Sequence, residues 1–172
     1  MSESMAVVSN AGPLMVLAKL NLLYLLKALY GHVHLAESVY NEIVTEGLRK
    51  GYEDARTLFL FLNQMCWKPE SVVTASLDWL PPHLDRGERD TLALADKFSK
   101  SLVLMDELLG RQAARERGLD VRGSLGVLIK AYRNQLMNGD QLRLYFNEIT
   151  RRRDIWIDPA LAERLLREVL GS

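Results

Sequence analysis

The sequence predicts an α/β fold: three α/β/α layers around a mainly parallel central sheet, with extra helices at the C-terminus. Three observations carry this. Short apolar runs, Ala6-Val7-Val8 before Ser9 and Leu102 to Met105 before Asp106, read as strands buried on both faces, as in a parallel sheet. Segments of helical period alternate with them. A chain of 172 residues, 48% of them hydrophobic, suits one domain with a sizeable core.

The elements follow in order. After a strand over Ala6 to Ser9, Gly12-Pro13 starts a helix, with proline tolerated in the first turn. Leu14, Leu17 and Ala18 keep helical spacing, and Leu22 to Leu29 resume it after a break near Asn21. His32 to Leu35 reads as a second strand, and Glu37 to Glu46 as a helix with an acidic first turn. A longer helix covers Tyr52 to Gln64, then Pro69 leads to a brief extended segment, Val72 to Thr74. The loop around Trp79 to His83 is the least regular stretch. A helix over Arg86 to Ser99, the strand Leu102 to Met105, and a helix to Arg117 come next. A strand at Leu119 to Val121 and a helix from Leu125 to Gln135 complete a core of about 6–135. Helices near Asp140 to Arg151 and Pro159 to Leu170 form a cap over about 138–171, on one domain spanning 1–172.

Composition narrows the functional classes. Formal net charge is zero and the pI is about 6.8, so the whole chain does not advertise nucleic acid. From Arg111 to Ser172 there are 12 Lys/Arg against 8 Asp/Glu, including Arg151-Arg152-Arg153. That run suits phosphate contact, or equally a solvated helix end. Cys66 is the only cysteine, which excludes an internal disulfide and a thiolate zinc cluster. Between Met65 and Trp67 it reads as a buried structural thiol. The polar start Met1-Ser2-Glu3-Ser4 is no signal peptide, and Lys19, Asn21 and Lys27 interrupt the most apolar stretch. The expected setting is cytoplasmic, with no membrane partner.

Four stretches place a polar side chain where a strand ends or a helix begins: Asn10, Glu42, Glu88 and Asp106. In parallel sheets ligands collect beyond the carboxyl ends of strands, so Asn10 and Asp106 should share one crevice. Clustered carboxylates repel and are costly to bury without a cation. Hard ions such as Mg²⁺ and Mn²⁺ take oxygen ligands, activate water and steady charge on a phosphodiester. Each residue also has an ordinary explanation. Glu42 and Glu46 fit a solvated helix face, and Glu88 and Asp90 favour a helix dipole. Asp106 and Ser124 would serve as helix caps.

The run Val7 to Leu14 with Leu17-Ala18-Lys19 resembles the opening of a PIN domain, within a small prokaryotic subgroup. Stretches like Ser38 to Val44, Leu84 to Glu88, Val103 to Asp106 with Gly110-Arg111, and Val121 to Leu128 follow in the subgroup's order. The resemblance runs from about Ala6 to Arg133. It implies a Mg²⁺- or Mn²⁺-dependent ribonuclease, the toxin of a VapBC-type toxin–antitoxin pair. It further implies an RNA substrate, a small antitoxin protein and a homodimer, for which the Leu-rich first helices offer a surface unless they are ordinary core.

The same resemblance implies a metal and catalytic quartet of Asn10, Glu42, Glu88 and Asp106, with Asp90, Ser9, Ser124 and Arg111 as secondary candidates. Glu88 has the expected spacing from Asp106, whereas Asp90 lies about 200° away on an ideal helix. Arg111 is expected to meet RNA phosphate. Most PIN ribonucleases carry aspartate where this chain has Asn10. An amide oxygen can ligate a hard ion but brings no charge. A catalytically inactive PIN-like module that binds RNA or protein is therefore the alternative.

Overall fold

Three short parallel strands, β1 (Ala6–Ser9), β2 (Ser101–Leu104) and β3 (Asp120–Arg122), lie in the order β1-β2-β3. The α/β fold with a parallel sheet is as the apolar runs predicted. The structure, a computed structural model, describes residues 4–75 and 77–171. Its chain contacts divide into two compact units, Met1–Gly123 and Ser124–Ser172.

In the first unit the register does the positioning. Ser9 pairs with Leu104, and Leu104 with Arg122, so all three strands stop at one level. Hydrogen bonding continues one step further, with Asn10 N donating to Leu104 O at 2.9 Å and Met105 N to Arg122 O at 3.0 Å. Asn10, Asp106 and Gly123 therefore leave the sheet at the same edge. Val8, Val103 and Leu104 are fully buried, as strands covered on both faces require.

Helices α1 (Ala11–Lys19) and α2 (Tyr24–Tyr30) follow β1. Asn21, with φ of 59°, makes the break between them. Leu14, Leu17, Leu22, Leu25 and Leu26 are all buried. Those leucines are core, which takes from the expected dimer surface its apolar side chains. After α3 (Glu37–Tyr40) comes a π-turn over Asn41–Thr45, then α4 (Glu46–Arg49), so this helix runs past the predicted Glu46. The remaining helices of the unit are α5 (Glu53–Met65), α6 (Arg86–Asp96) and α7 (Leu108–Glu116). Helix α6 packs on β1 and β2, and α7 on β3.

Several expectations are corrected. His32 to Leu35 is not a strand; only His34 bridges to Val8. Beyond that bridge the chain turns to another partner: Glu70 N donates to Leu35 O and Glu37 N to Glu70 O, both at 2.9 Å, so no ladder grows on β1. The His34 ring nitrogen Nδ1 also meets Glu70 Oε2 at 2.7 Å. Helix α6 stops at Asp96, short of Ser99. Cys66 is exposed, because it caps α5 in the left-handed region (φ 56°) while its neighbour Trp67 fills the interior.

The second unit holds α8 (Ser124–Arg133), α9 (Gly139–Arg151) and α10 (Pro159–Leu170). Helix α9 begins with a reciprocal Asn138–Gln141 capping box, and α10 with Asp158 as cap and Pro159 in its first turn. Phe146 and Leu142 are buried, whereas Trp156 is almost fully exposed. Among the described residues no helix is long and apolar enough to cross a membrane.

Candidate functional site

Asn10 occupies the N-cap of α1, where asparagine ordinarily bonds the backbone of the first turn. Here it makes no such bond. Its side chain, buried to 6% exposure, turns instead toward α6, and Thr91 Oγ1 lies 3.4 Å from its Oδ1. The Thr91 hydroxyl donates to Gly87 O at 2.7 Å, which fixes its rotamer. Ser9 is fully buried and donates to Asn10 O at 2.9 Å, so it pins the backbone at the strand end rather than facing a ligand.

Gly87 is where the oxygens gather. A methyl group placed on it would meet Glu42 Oε2 at 3.3 Å, Asn10 Oδ1 at 3.5 Å and Asp85 Oδ1 at 3.5 Å. Three elements contribute: the end of β1, the π-turn and the start of α6. The extra residue in a π-turn displaces side chains from ordinary helical phase, and such turns concentrate at functional sites. Glu42 sits in it. Its residue surface is exposed, yet its carboxyl end abuts the cradle. Burial, then the charges of Asp85 and Glu88, push that carboxyl above the usual glutamate range.

Glu88 is buried and partly committed. Its Oε2 accepts from Asp85 N at 2.9 Å, while Asp85 Oδ1 accepts from Glu88 N at 2.8 Å, a complete capping box for α6. Burial raises its carboxyl above the usual range, the Asp85 backbone bond works against this, and Asp85 and Glu107 raise it further. Asp90, also buried, faces Arg86 Nε at 3.7 Å. In the sequence Asp85 reads as an ordinary cap; the pattern Asp85-x-x-Glu88 is the available signal for a carboxylate at this helix start.

Asp106 borders two other glycines, Gly12 and Gly123. A methyl on Gly12 would lie 3.2 Å from its Oδ2, and one on Gly123 would lie 2.9 Å from both its Oδ1 and Arg111 Nη1. Arg111 donates from Nη1 to Met105 O at 2.9 Å. Burial lowers its guanidinium below the usual range, Arg115 lowers it further, and Asp106 opposes both. Arg111 thus has a partner inside the fold. Ser124 follows Gly123 directly and opens α8 of the second unit.

The fit to a divalent ion is one of kind. Around Gly87 every donor is an oxygen, as Mg²⁺ and Mn²⁺ require, and a single Cβ would fill the space between them. In charge the cradle is poorer, since two carboxylates share it with a neutral amide. Among the described residues no three His, Cys, Asp or Glu side chains are grouped to hold one ion. Of the expected quartet, Asn10 and Glu42 meet at the cradle, Glu88 borders it through Asp85, and Asp106 occupies its own slot.

No curated protein and no solved structure matches the chain. The model of the PIN domain family matches residues 6–170, nearly the whole length, so the chain belongs to the PIN domain family.

Proposed function

We propose that this protein is a Mg²⁺- or Mn²⁺-dependent endoribonuclease of PIN type, acting as the toxin of a VapBC-like pair. The observation that carries the reading is the convergence of Asn10 Oδ1, Glu42 Oε2 and Asp85 Oδ1 over Gly87. Three oxygen donors gathered without a cation of their own form a place a hard ion would neutralise. Membership of the PIN domain family supports the nuclease-type chemistry. Glu42, Asp85 and Asn10 would hold the ion, with Glu88 and Asp106 at its margins. When bound, the ion would supply a lowered water pKa and charge stabilisation at the phosphate.

The residues themselves have separable tasks. Thr91 and Ser9 hold Asn10 in place, the one near its amide and the other on its backbone. Asp85 and Glu88 hold each other at the head of α6 and keep their charge beside the cradle. Single-stranded RNA is the substrate class. A small antitoxin protein is the restraining partner and the setting is cytoplasmic. A homodimer would use a face other than the buried leucines of α1 and α2.

A second reading has its own observations. The amide at Asn10 and the commitment of Glu88 to a cap favour a PIN-like module that binds RNA or protein without turnover. One experiment separates the two. Purified protein should cut single-stranded RNA with Mn²⁺, EDTA should stop it, and Asp106→Asn should lower the rate by more than about a hundredfold. RNA binding without cleavage, at any Mn²⁺ concentration, selects the module. Cleavage unchanged in Asp106→Asn sinks the nuclease assignment.

A further inference from the structure

Resting on the metal-dependent reading above, we infer that Arg111 is a positioning residue for Asp106, acting with Gly12 and Gly123 as the walls of a slot that fixes the carboxylate. Three contacts converge on this. Arg111 leaves α7 and returns to the end of β2, where Nη1 donates to Met105 O at 2.9 Å, one peptide before Asp106. The space a Gly123 methyl would take is bounded at 2.9 Å by both Arg111 Nη1 and Asp106 Oδ1, so guanidinium and carboxylate flank the same point. On the other side, Gly12 leaves just enough room for Asp106 Oδ2, at 3.2 Å from where a Cβ would stand.

The consequence is directional. A lone aspartate past a strand end has two free torsions and would sample several rotamers. Here one oxygen is held on the Arg111 side and the other faces α1 and the end of β1. The neighbouring Gly110 belongs to the same arrangement: a methyl there would collide with Met105 Sδ, so glycine lets α7 approach closely enough for Arg111 to reach the strand. An arginine spent on a backbone carbonyl and a buried-side carboxylate is poorly placed to bind RNA phosphate. Its role is orientation, comparable to the outer partners that hold metal ligands in line.

The test uses the full chain and two variants, Arg111→Ala and Gly123→Ala, the second keeping the arginine while filling the slot. Crystal structures of the metal-free variants show where Asp106 points. Calorimetry with Mn²⁺ and binding of uncleaved single-stranded RNA in EDTA supply the other two readouts. The expected result is a displaced Asp106 carboxylate and Mn²⁺ affinity about 10–100-fold weaker in both variants, with RNA affinity unchanged. Arg111→Lys, which keeps the charge and one donor, should recover part of the Mn²⁺ affinity. Asp106 unmoved in both variants overturns the inference. Loss of RNA affinity in Arg111→Ala with Asp106 in place also overturns it, and makes Arg111 a phosphate contact. A wild-type chain that binds no Mn²⁺, while Asp106 shifts in the variants, sinks the metal reading and leaves the positioning role standing.

Discussion

The cradle over Gly87 and the slot around Asp106 solve opposite problems a few residues from the same sheet edge. In the slot a carboxylate has an arginine beside it, and glycines on both sides leave room for one arrangement. In the cradle three acceptor oxygens converge, and burial first, then neighbouring carboxylates, raise the carboxyls of Glu42 and Glu88. The slot has a guanidinium near its carboxylate, whereas the three atoms nearest the centre of the cradle are all oxygens.

The sharpest way to change that contrast is Asn10→Asp. It adds a third negative charge to the cradle and leaves the slot untouched. Metal-free protein should lose about 1 kcal/mol, or roughly 2–4 °C in Tm for a chain of this length. Mn²⁺ affinity should rise on the order of tenfold with the added ligand charge. Thermal melts with and without Mn²⁺ would check both signs. Equal Tm in EDTA would mean the amide does not sit among charges, and the cradle reading would fail.

A smaller effect follows from the raised carboxyl of Glu42. Because its folded value lies above the unfolded one, the folded chain holds more protons between the two. Its contribution to stability is fully present below the ordinary glutamate range and is lost as pH rises through the folded value. The Glu42→Gln variant should therefore gain in Tm over wild type as metal-free samples move from pH 4 to 7. Mn²⁺, which binds the ionised form, should erase the difference in favour of wild type at pH 7. A gap that does not vary with pH would show that Glu42 is a solvated acid.

Much of this was legible in the sequence, for physical reasons that can be named. Asn10 and Asp106 were readable because each follows an apolar run that could only be a buried strand, and parallel strands end together. Glu42 was readable as an acid on the helix that starts at Glu37, but not its π-turn, which the local sequence does not announce. His32 to Leu35 imitated a strand because Val33 and Leu35 alternate correctly. The decision lay with Glu70, a partner 36 residues beyond His34, which no local pattern encodes. Asp85 was hidden by its ordinary job, since a capping aspartate looks the same whether or not its capping oxygen also borders a cradle. Cys66 misled because its neighbours are apolar while its own backbone turns it outward.

The smallest expected effect bears on the third acid. Glutamine at position 88 can complete a capping box as glutamate does, so Glu88→Gln should leave the unfolding free energy within about 0.5 kcal/mol of wild type. Asp85→Ala removes the cap and should cost about 1 kcal/mol. Paired with Mn²⁺ calorimetry, the two variants separate holding the helix from holding the ion. If Glu88→Gln weakens Mn²⁺ with Tm unchanged, Glu88 is a ligand that also caps. If only Asp85→Ala weakens it, beyond what a shortened helix explains, the third acid is Asp85. Glu88 then belongs to the frame, and the expected quartet shifts by three residues toward the loop. Asp90, turned to Arg86, should be silent in both measurements. An effect there as large as at Glu88 would mean that α6 presents a different face to the cradle.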